Sequence, residues 1–457
     1  MTAPIPFAAL PSFTPESPVR TCKRLDPFYD ALWADGTEAS WISKSKATRT
    51  ENAGLGSLPA HLAATTSSAW ERLESGVAWE QKLSVLAAID GWRTMTSEQA
   101  AQLTGQHQIA SGKHRTTGDL FAAELLEIGV FNSAMNPRAR QSRGTLLRPG
   151  RAGTATDRMS GLLSNPEWVS VTAGRGFEHA RQFDRHNLLA TEFGLRCAEH
   201  LWLGTVLGEK LSSVTDLAYT GWGATPANAG SQQTADLTVV RADGLRIAVE
   251  ITASHGKSLD VKIEKWAKIL HKRSTSDSGL VVLFLVAGQP DGKSNTTAQV
   301  IRKTRQAMTH AARLHSGRPD DRTASRMMLA TWEDYFPVAG HASDAFLSLR
   351  AERATGDPVN PWTSVNILNP AELTYAPTTD TQLAVLENAA GLRSTPHWLR
   401  RETPPELWQL AMTAQKFETL PRLNGPTDKG GQRAEFGAAK GVAGQAAISP
   451  RLRFAAV

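Results

Sequence analysis

The apolar positions change period along the chain, and each change marks a different kind of element. Across 78–131 they recur every three to four residues, the spacing of amphipathic helices. Over 80–92, Leu83, Leu86 and Ala87 share one helical face, with Asp90 the polar residue on it. A second helix is announced by Thr96 or Ser97 as N-cap, Glu98 and Gln99 in the first turn and Gly105 as the stop. A third, over about 117–128, carries Leu120, Phe121, Leu125 and Ile128 and ends at Gly129. From 183 to 335 strand and helix periods alternate. A helix over 186–201 has Leu189, Phe193 and Cys197 on one face, and strands follow at 235–241 and 245–252. A basic helix at 258–271, a wholly apolar strand at 279–288, a long helix at 295–315 and a strand within 326–336 complete the segment. That alternation predicts an α/β fold, a mixed sheet with helices on its faces.

Three short helices with a tight turn between the second and third look like a helix-turn-helix. The Arg- and Gly-rich segment 130–153 then suits the basic hairpin of a winged helix. Lys113, His114 and Arg115 open the third helix, where a recognition helix meets the major groove. A plain helical bundle fits the same pattern. The expected organisation has five parts. An extended N-terminal arm (1–75) is partly ordered by Phe28, Tyr29, Trp33 and Trp41, and a winged helix with its basic wing occupies 76–160. The α/β domain covers 180–336, a mostly helical extension with Trp362, Trp398 and Trp408 covers 337–421, and 422–457 reads as a basic disordered tail.

Composition narrows the class. Of 457 residues, 41% are hydrophobic and 21% charged, which excludes a wholly disordered chain. No apolar run approaches the ~20 residues of a membrane helix. The first twenty residues carry five prolines and no basic n-region, a poor signal peptide. Cys22 and Cys197 are too few for a disulfide scaffold or a four-cysteine zinc site, so cytoplasmic residence without membrane contact is expected. The net charge of +6 is modest, but it is unevenly spread. Residues 138–158 hold Arg138, Arg140, Arg143, Arg148, Arg151 and Arg158 against Asp157 alone. Residues 257–273 hold six Lys/Arg against two acids, 301–326 hold seven against two, and the last 36 residues hold six against two. Positive charge concentrated in this way favours a polyanion such as DNA.

Candidate chemistry centres on 234–252. Ala242-Asp243-Gly244 suits a three-residue hairpin loop with Gly in the left-handed position. That loop pairs Arg241 with Leu245 and sets Asp236 directly across from Glu250. The period of two then puts Asp236, Thr238, Glu250 and Thr252 on one face and Leu237, Val239, Ile247, Val249 and Ile251 on the other, as core. A two-residue turn would separate the two acids. Adjacent carboxylates repel unless a cation lies between them. Mg²⁺ takes such oxygen ligands and would polarise a phosphate and help generate hydroxide. Lys257, Lys262 or Lys265 would stabilise the developing charge. Two exposed acids on a polar sheet face are the plainer reading.

Asp236, a hairpin, Glu-x-Thr at 250–252 and a lysine-bearing helix are similar to the PD-(D/E)XK nuclease core. Over about 80–335 the order of elements resembles the actinobacterial replication–relaxation family, proteins of plasmids and mobile elements. The segments that carry the resemblance are VLAAIDGWRTMTSEQAAQL, RHNLLATEFGL, ADLTVV with IAVEIT, VKIEKWAKIL, LVVLFLVAG and MMLATWED. It implies a winged helix followed by a restriction-endonuclease-like mixed sheet, in a DNA-binding protein of replication, transfer or maintenance. It further implies Asp236 and Glu250 as ligands of Mg²⁺ or Mn²⁺ and Glu192 as the helix acid. Ala235 stands where the pattern has Pro and Thr252 where it has Lys, so Lys262 becomes the lysine of a metal-dependent DNA endonuclease. The catalytic candidates are thus Asp236, Glu250, Lys262 and Glu192. Lys113, His114, Arg115, Arg138, Arg140, Arg143, Arg148, Arg151, Lys257 and Lys265 are the DNA contacts. The alternative is a nuclease fold that grips DNA without cutting, as a binding or assembly module. A homodimer, or a partner protein of a replication or transfer complex, is the expected assembly.

Three weaker motifs compete. Residues 287–294 match a loose phosphate loop with Lys293 on phosphates and Ser294 on Mg²⁺, but Pro290 lacks an N–H that such a loop offers. Cys197 and His200, with His186 upstream, give too few ligands for zinc. His255 follows the hairpin and is placed to serve as a proton shuttle or phosphate contact, or simply as part of a loop.

Overall fold

The computed structural model describes residues 3–30, 32–33, 37–132, 145–163, 165–173, 176–178, 183–214, 233–254, 256–288, 294–355, 361–376, 385–386 and 388–400. The N-terminal segment holds strands β1 (Ile5–Pro6) and β2 (Glu38–Ile42) and helices α1 (Lys44–Asn52) and α2 (Thr66–Glu74). It is therefore not the extended arm its composition predicts. Ser43 and Thr65 cap the two helices by accepting from the N–H groups of Lys46 and Ser68. α1 buries only Lys44 and Ala47, too few apolar positions to show a period.

Next come α3 (Trp79–Trp92), β3 (Met95–Thr96), α4 (Ser97–Thr104), α5 (Arg115–Ala122), β4 (Leu126–Asn132) and β5 (Leu146–Pro149). The four strands form an antiparallel sheet in the order β2-β4-β5-β3. Thr96 and Gln99 close a capping box on α4, and Gly105, at φ 74°, ends the helix. The third helix is shorter than its apolar spacing suggests. It stops at Ala122, Glu124 turns the chain at φ 63°, and Ile128 and Gly129 pair with β2 as strand residues. A Cβ on Gly129 would lie 2.6 Å from the Trp41 ring, so the glycine lets strand and indole close up.

The remaining elements are α6 (Gly153–Leu162), α7 (Asn165–Thr172), α8 (Asp184–His200), β6 (Thr205–Gly208), β7 (Leu237–Val240), β8 (Arg246–Thr252), α9 (Lys257–Lys272), α10 (Thr275–Ser278), β9 (Leu280–Val286), α11 (Ser294–Leu314), β10 (Gly317–Arg318), β11 (Asp321–Arg322), β12 (Met327–Thr331), α12 (Trp332–Tyr335), β13 (His341–Ala342), α13 (Asp344–Leu347), β14 (Arg350–Ala354) and β15 (Trp362–Asn366). Seven strands make one mixed sheet, β15-β14-β12-β9-β8-β7-β6. β8, β9 and β12 are parallel, and the outer pairs are antiparallel. The extension beyond 336 thus widens the sheet where helices are expected. Ala351 and Val365, paired across β14 and β15, point into the core, and Trp362 is a strand residue. Trp408 and the tail lie outside the described residues.

Alternation along the strands splits the apolar residues between two layers. Leu237, Val239, Ile247, Val249, Ile251, Leu283 and Leu285 join α8 and α3 in one cluster. Ala248, Val282 and Phe284 join Ile263, Trp266 and Met308 of α9 and α11 in the other. The first cluster runs from Phe7 to Tyr375, so the segments read as separate domains share one core. The N-terminal segment ties them further: β1 pairs with β13, and the Trp33 indole donates to the Ala287 carbonyl. No helix among the described residues is long and apolar enough to cross a membrane.

Candidate functional site

The β7–β8 register is the one the three-residue loop predicts. Leu237 faces Val249 and Val240 faces Arg246, Arg241 N–H donates to the Leu245 carbonyl, and Gly244 sits at φ 89°. Asp236, just before β7, is held against the end of β8: its N–H donates to the Val249 carbonyl, and its Oδ2 accepts from Ile251 N–H at 2.6 Å. Glu250 points to the α9 side of the sheet. Lys262 and Trp266, one helical turn apart, both reach it. Lys262 Nζ donates to Glu250 Oε2 at 2.6 Å and lies 4.0 Å from Asp236 Oδ1. Trp266 Nε1 donates to Glu250 Oε1 at 2.5 Å, and Gln233 Nε2 donates to the same oxygen at 3.3 Å. Asp236, Glu250 and Lys262 therefore converge, with the ammonium between the carboxylates.

Burial pushes the Glu250 carboxyl up to about 7, and Asp236 adds to the rise, while Lys262 and the hydrogen bonds pull it down. Burial would lower the Lys262 ammonium, but Glu250 and Asp236 outweigh it and hold it above the usual range. Two further groups border the site: His186, which the sequence offered only as a weak zinc ligand, and Glu209, which sequence reasoning left out. His186, in the first turn of α8, packs edge-on against Trp33, with ring centroids 5.0 Å apart. Burial lowers its pKa, with Asp236 pulling the other way. Glu209, in the short turn after β6, accepts from Asn187 Nδ2 at 2.6 Å, and burial raises its carboxyl, Asp236 adding to the effect. β6 is four residues long and gives no period to read. The Lys262/Trp266 spacing on an amphipathic helix was the one available signal for Trp266.

Glu192 is elsewhere. It is 1% exposed within α8, and its oxygens accept from Arg24 Nε at 2.8 Å and from Arg196 Nε at 3.0 Å. Arg24 also pairs with Glu199, and Arg196 with Asp26, so Glu192 anchors the N-terminal segment to α8. The two guanidiniums hold its carboxyl down at about 2 against the desolvation that opposes them. Thr252 turns its hydroxyl to the Ser254 carbonyl at 2.7 Å rather than into the site.

The donor set does not suit Mg²⁺. Every Glu250 oxygen already accepts a hydrogen bond, Asp236 Oδ2 takes the Ile251 amide, and the Lys262 ammonium lies where a bridging ion would go. Among the described residues no group of three His, Cys, Asp or Glu side chains is placed to hold a metal. A small ion that demands near-octahedral oxygen ligands would have to displace the lysine first.

The basic candidates divide as well. Lys113, Arg115, Arg151, Lys257 and Lys265 are exposed. His114 is the N-cap of α5 and accepts from Thr116 N–H. Arg148 is 6% exposed, because it sits across from Glu127 in the β4–β5 ladder, pairs with it at 2.6 Å and stacks over Trp41. It is committed inside the fold, not free for a phosphate. Arg138, Arg140, Arg143, His255 and Lys293 lie outside the described residues. The side of α5 away from the core is covered: a Cβ on Gly118 would meet the His61 carbonyl at 2.2 Å, and Asp119 pairs with Arg72 of α2 and with Lys82. No protein-family model, curated protein or solved structure matches the chain.

Proposed function

We propose that this is a DNA-binding protein whose α/β sheet supports binding and does not cut. The observation that carries the reading is the arrangement of 79–149. Helix, strand, helix, helix and two strands follow in order, with β3 paired to β5 and β5 to β4. That is the order of a winged helix, and Arg138, Arg140 and Arg143 fall in its β4–β5 connection. Because residues 60–74 cover α5, DNA meets its N-terminal turn, at Lys113 and Arg115, and the connection rather than the length of the helix. The acidic site favours the non-cutting form, since Lys262 already supplies the cation that two carboxylates need. The sheet order β6-β7-β8-β9, with β7 antiparallel to its neighbours, is compatible with a nuclease-like ancestry. A place in the replication, transfer or maintenance of a plasmid or mobile element rests on the sequence resemblance alone.

The test combines binding and cleavage. Anisotropy of a labelled duplex should show binding that weakens steeply with salt, reduced in Lys113→Ala/Arg115→Ala. Supercoiled plasmid should stay intact in Mg²⁺ and in Mn²⁺. Absence of any binding at low salt refutes the reading. Nicking that disappears in Asp236→Ala and Glu250→Ala would instead establish a nuclease.

A further inference from the structure

A second basic feature lies apart from both the 79–149 unit and the acidic site. A cavity of about 760 Å³ opens between the C-terminal end of α11 and the β10–β11 hairpin, with Ala354 and Pro361 on its far side. Arg313 from the last turn of α11 and Arg318 and Arg322 from the hairpin line it. All three are exposed, and no carboxylate among the described residues forms an ion pair with any of them.

The surrounding chemistry keeps the charge unbalanced and the frame fixed. Asp321, on the same hairpin, is turned away: its carboxylate accepts from Thr275 N–H at 2.6 Å and Thr275 Oγ1 at 2.7 Å, and from Arg326 Nη1 at 3.4 Å. Asp320 lies at the hairpin tip, outside the lining. Gly317, at φ 78°, donates to His271 Nδ1 at 3.1 Å, and a Cβ there would lie 2.7 Å from the Asp321 carbonyl. The hairpin is thus tied to α9 through His271 and to α10 through Thr275. Three guanidiniums around one concavity, paired with no carboxylate among the described residues, suit phosphate, which they bind in paired hydrogen bonds. The volume is in the range that takes a small ligand, enough for a nucleotide unit between apolar walls.

We propose that this cavity binds a phosphate-bearing nucleotide unit of a DNA strand, a contact separate from the winged-helix unit. The inference rests on the DNA-binding reading and adds a second point of contact to it. A free nucleotide carries the same chemistry, so the experiment separates the two sources. Arginines of the full chain are modified with phenylglyoxal and mapped by mass spectrometry in the presence of a 20-mer oligonucleotide, ATP or inorganic phosphate. Arg49, exposed on α1, is the control. In parallel, oligonucleotide affinity is measured against salt for Arg313→Ala/Arg318→Ala/Arg322→Ala and for the corresponding triple lysine variant.

The expected result is protection of Arg313, Arg318 and Arg322 by the oligonucleotide. The alanine variant should bind at least about tenfold more weakly at low salt, with a log–log salt slope shallower by about 2.1 on a single strand or about 2.7 on a duplex, the values for three lost phosphate contacts. The lysine variant should keep the wild-type slope. A wild-type slope in the alanine variant, with binding still lost in Lys113→Ala/Arg115→Ala, overturns this proposal and leaves the DNA-binding reading standing. Protection by ATP or inorganic phosphate but not by the oligonucleotide also overturns it, in favour of a free anion. No oligonucleotide binding by the wild-type protein removes both.

Discussion

Replacing Lys262 with Met removes the cation between two carboxylates while keeping most of the aliphatic stem. Glu250 is then a 1%-exposed carboxyl with only the Trp266 and Gln233 hydrogen bonds to support its charge. Its pKa already stands at about 7 with the lysine present, against 4.5 for the free side chain, and it rises further when the lysine goes. In the variant Glu250 therefore folds protonated at neutral pH. Holding a proton at pH 7 on a group that would lose it at 4.5 when unfolded costs about 3 kcal/mol, at 1.36 kcal/mol per pH unit, but wild type, with Glu250 at about 7, already carries nearly all of that; the extra loss in the variant starts near pH 7 and grows by up to about 1.36 kcal/mol per pH unit above it. The lysine side chain is itself 35% exposed, so water partly screens the pair it forms and the extra loss at pH 7.5 stays below about 1 kcal/mol. The sign with pH follows from the raised carboxyl. Its stabilising contribution is complete below 4.5 and is lost as pH rises through the folded-state value. Urea unfolding of wild type and Lys262→Met at pH 5 and pH 7.5 should show a gap that is small at pH 5 and widens toward pH 7.5. An equal gap at both pH values, or none at pH 7.5, would refute the idea that Lys262 neutralises the buried Glu250 carboxylate beside Asp236.

Glu192→Gln should cost roughly 3 kcal/mol at pH 7 because Arg24 and Arg196 lose a shared buried partner. Glu192 is held at about 2, so its contribution is present above 4.5 and lost as pH falls toward 2, and the gap to wild type should narrow steadily, without closing, in unfolding curves taken from pH 6 to pH 3. Gly118→Ala should destabilise by about 1–3 kcal/mol, since the new methyl meets the His61 carbonyl. Amide exchange should rise first in 60–74, and unchanged exchange there would mean that this segment does not depend on its seat over α5. Thr96→Ala removes one half of the α4 capping box and should cost about 1 kcal/mol, read as a lower urea midpoint at constant slope.

What was legible in the sequence follows from what is local. The β7–β8 register depends on three loop residues and one glycine, and α4 on Thr96, Gln99 and Gly105; each signal lies within a few positions of the structure it sets. The failures come where a distant partner decides. Leu125 and Ile128 keep helical spacing with Leu120 and Phe121, yet β2, about 87 residues upstream, draws Ile128 and Gly129 into a strand and leaves Leu125 in the turn before it. Arg148 looks like a wing arginine until β4 sets Glu127 opposite it. α1 is held by its seat on the fold more than by apolar period, and β14 and β15 exist because β12 offers an edge to extend.

The acidic site shows the same division and changes what the acids are for. Asp236 and Glu250 were readable as a pair, because a period of two and a three-residue loop leave no other register. Their role depended on Lys262, which the sequence places near the site but not at any atom of it. A lysine that reached past the carboxylates toward solvent would have left them for a divalent ion and offered its own charge to a phosphate. Instead Nζ donates to Glu250 and faces Asp236, and the Trp266 indole takes the other Glu250 oxygen. The charge of the site is spent internally, tying the β8 end to α9. That helix also carries Lys257 and Lys265, both exposed, so the Glu250–Lys262 pair helps to fix the position of a basic surface. On the proposed DNA-binding reading, Lys262→Met should weaken duplex affinity only to the extent that it loosens α9, and at pH 5, where the stability gap closes, its affinity should return toward wild type.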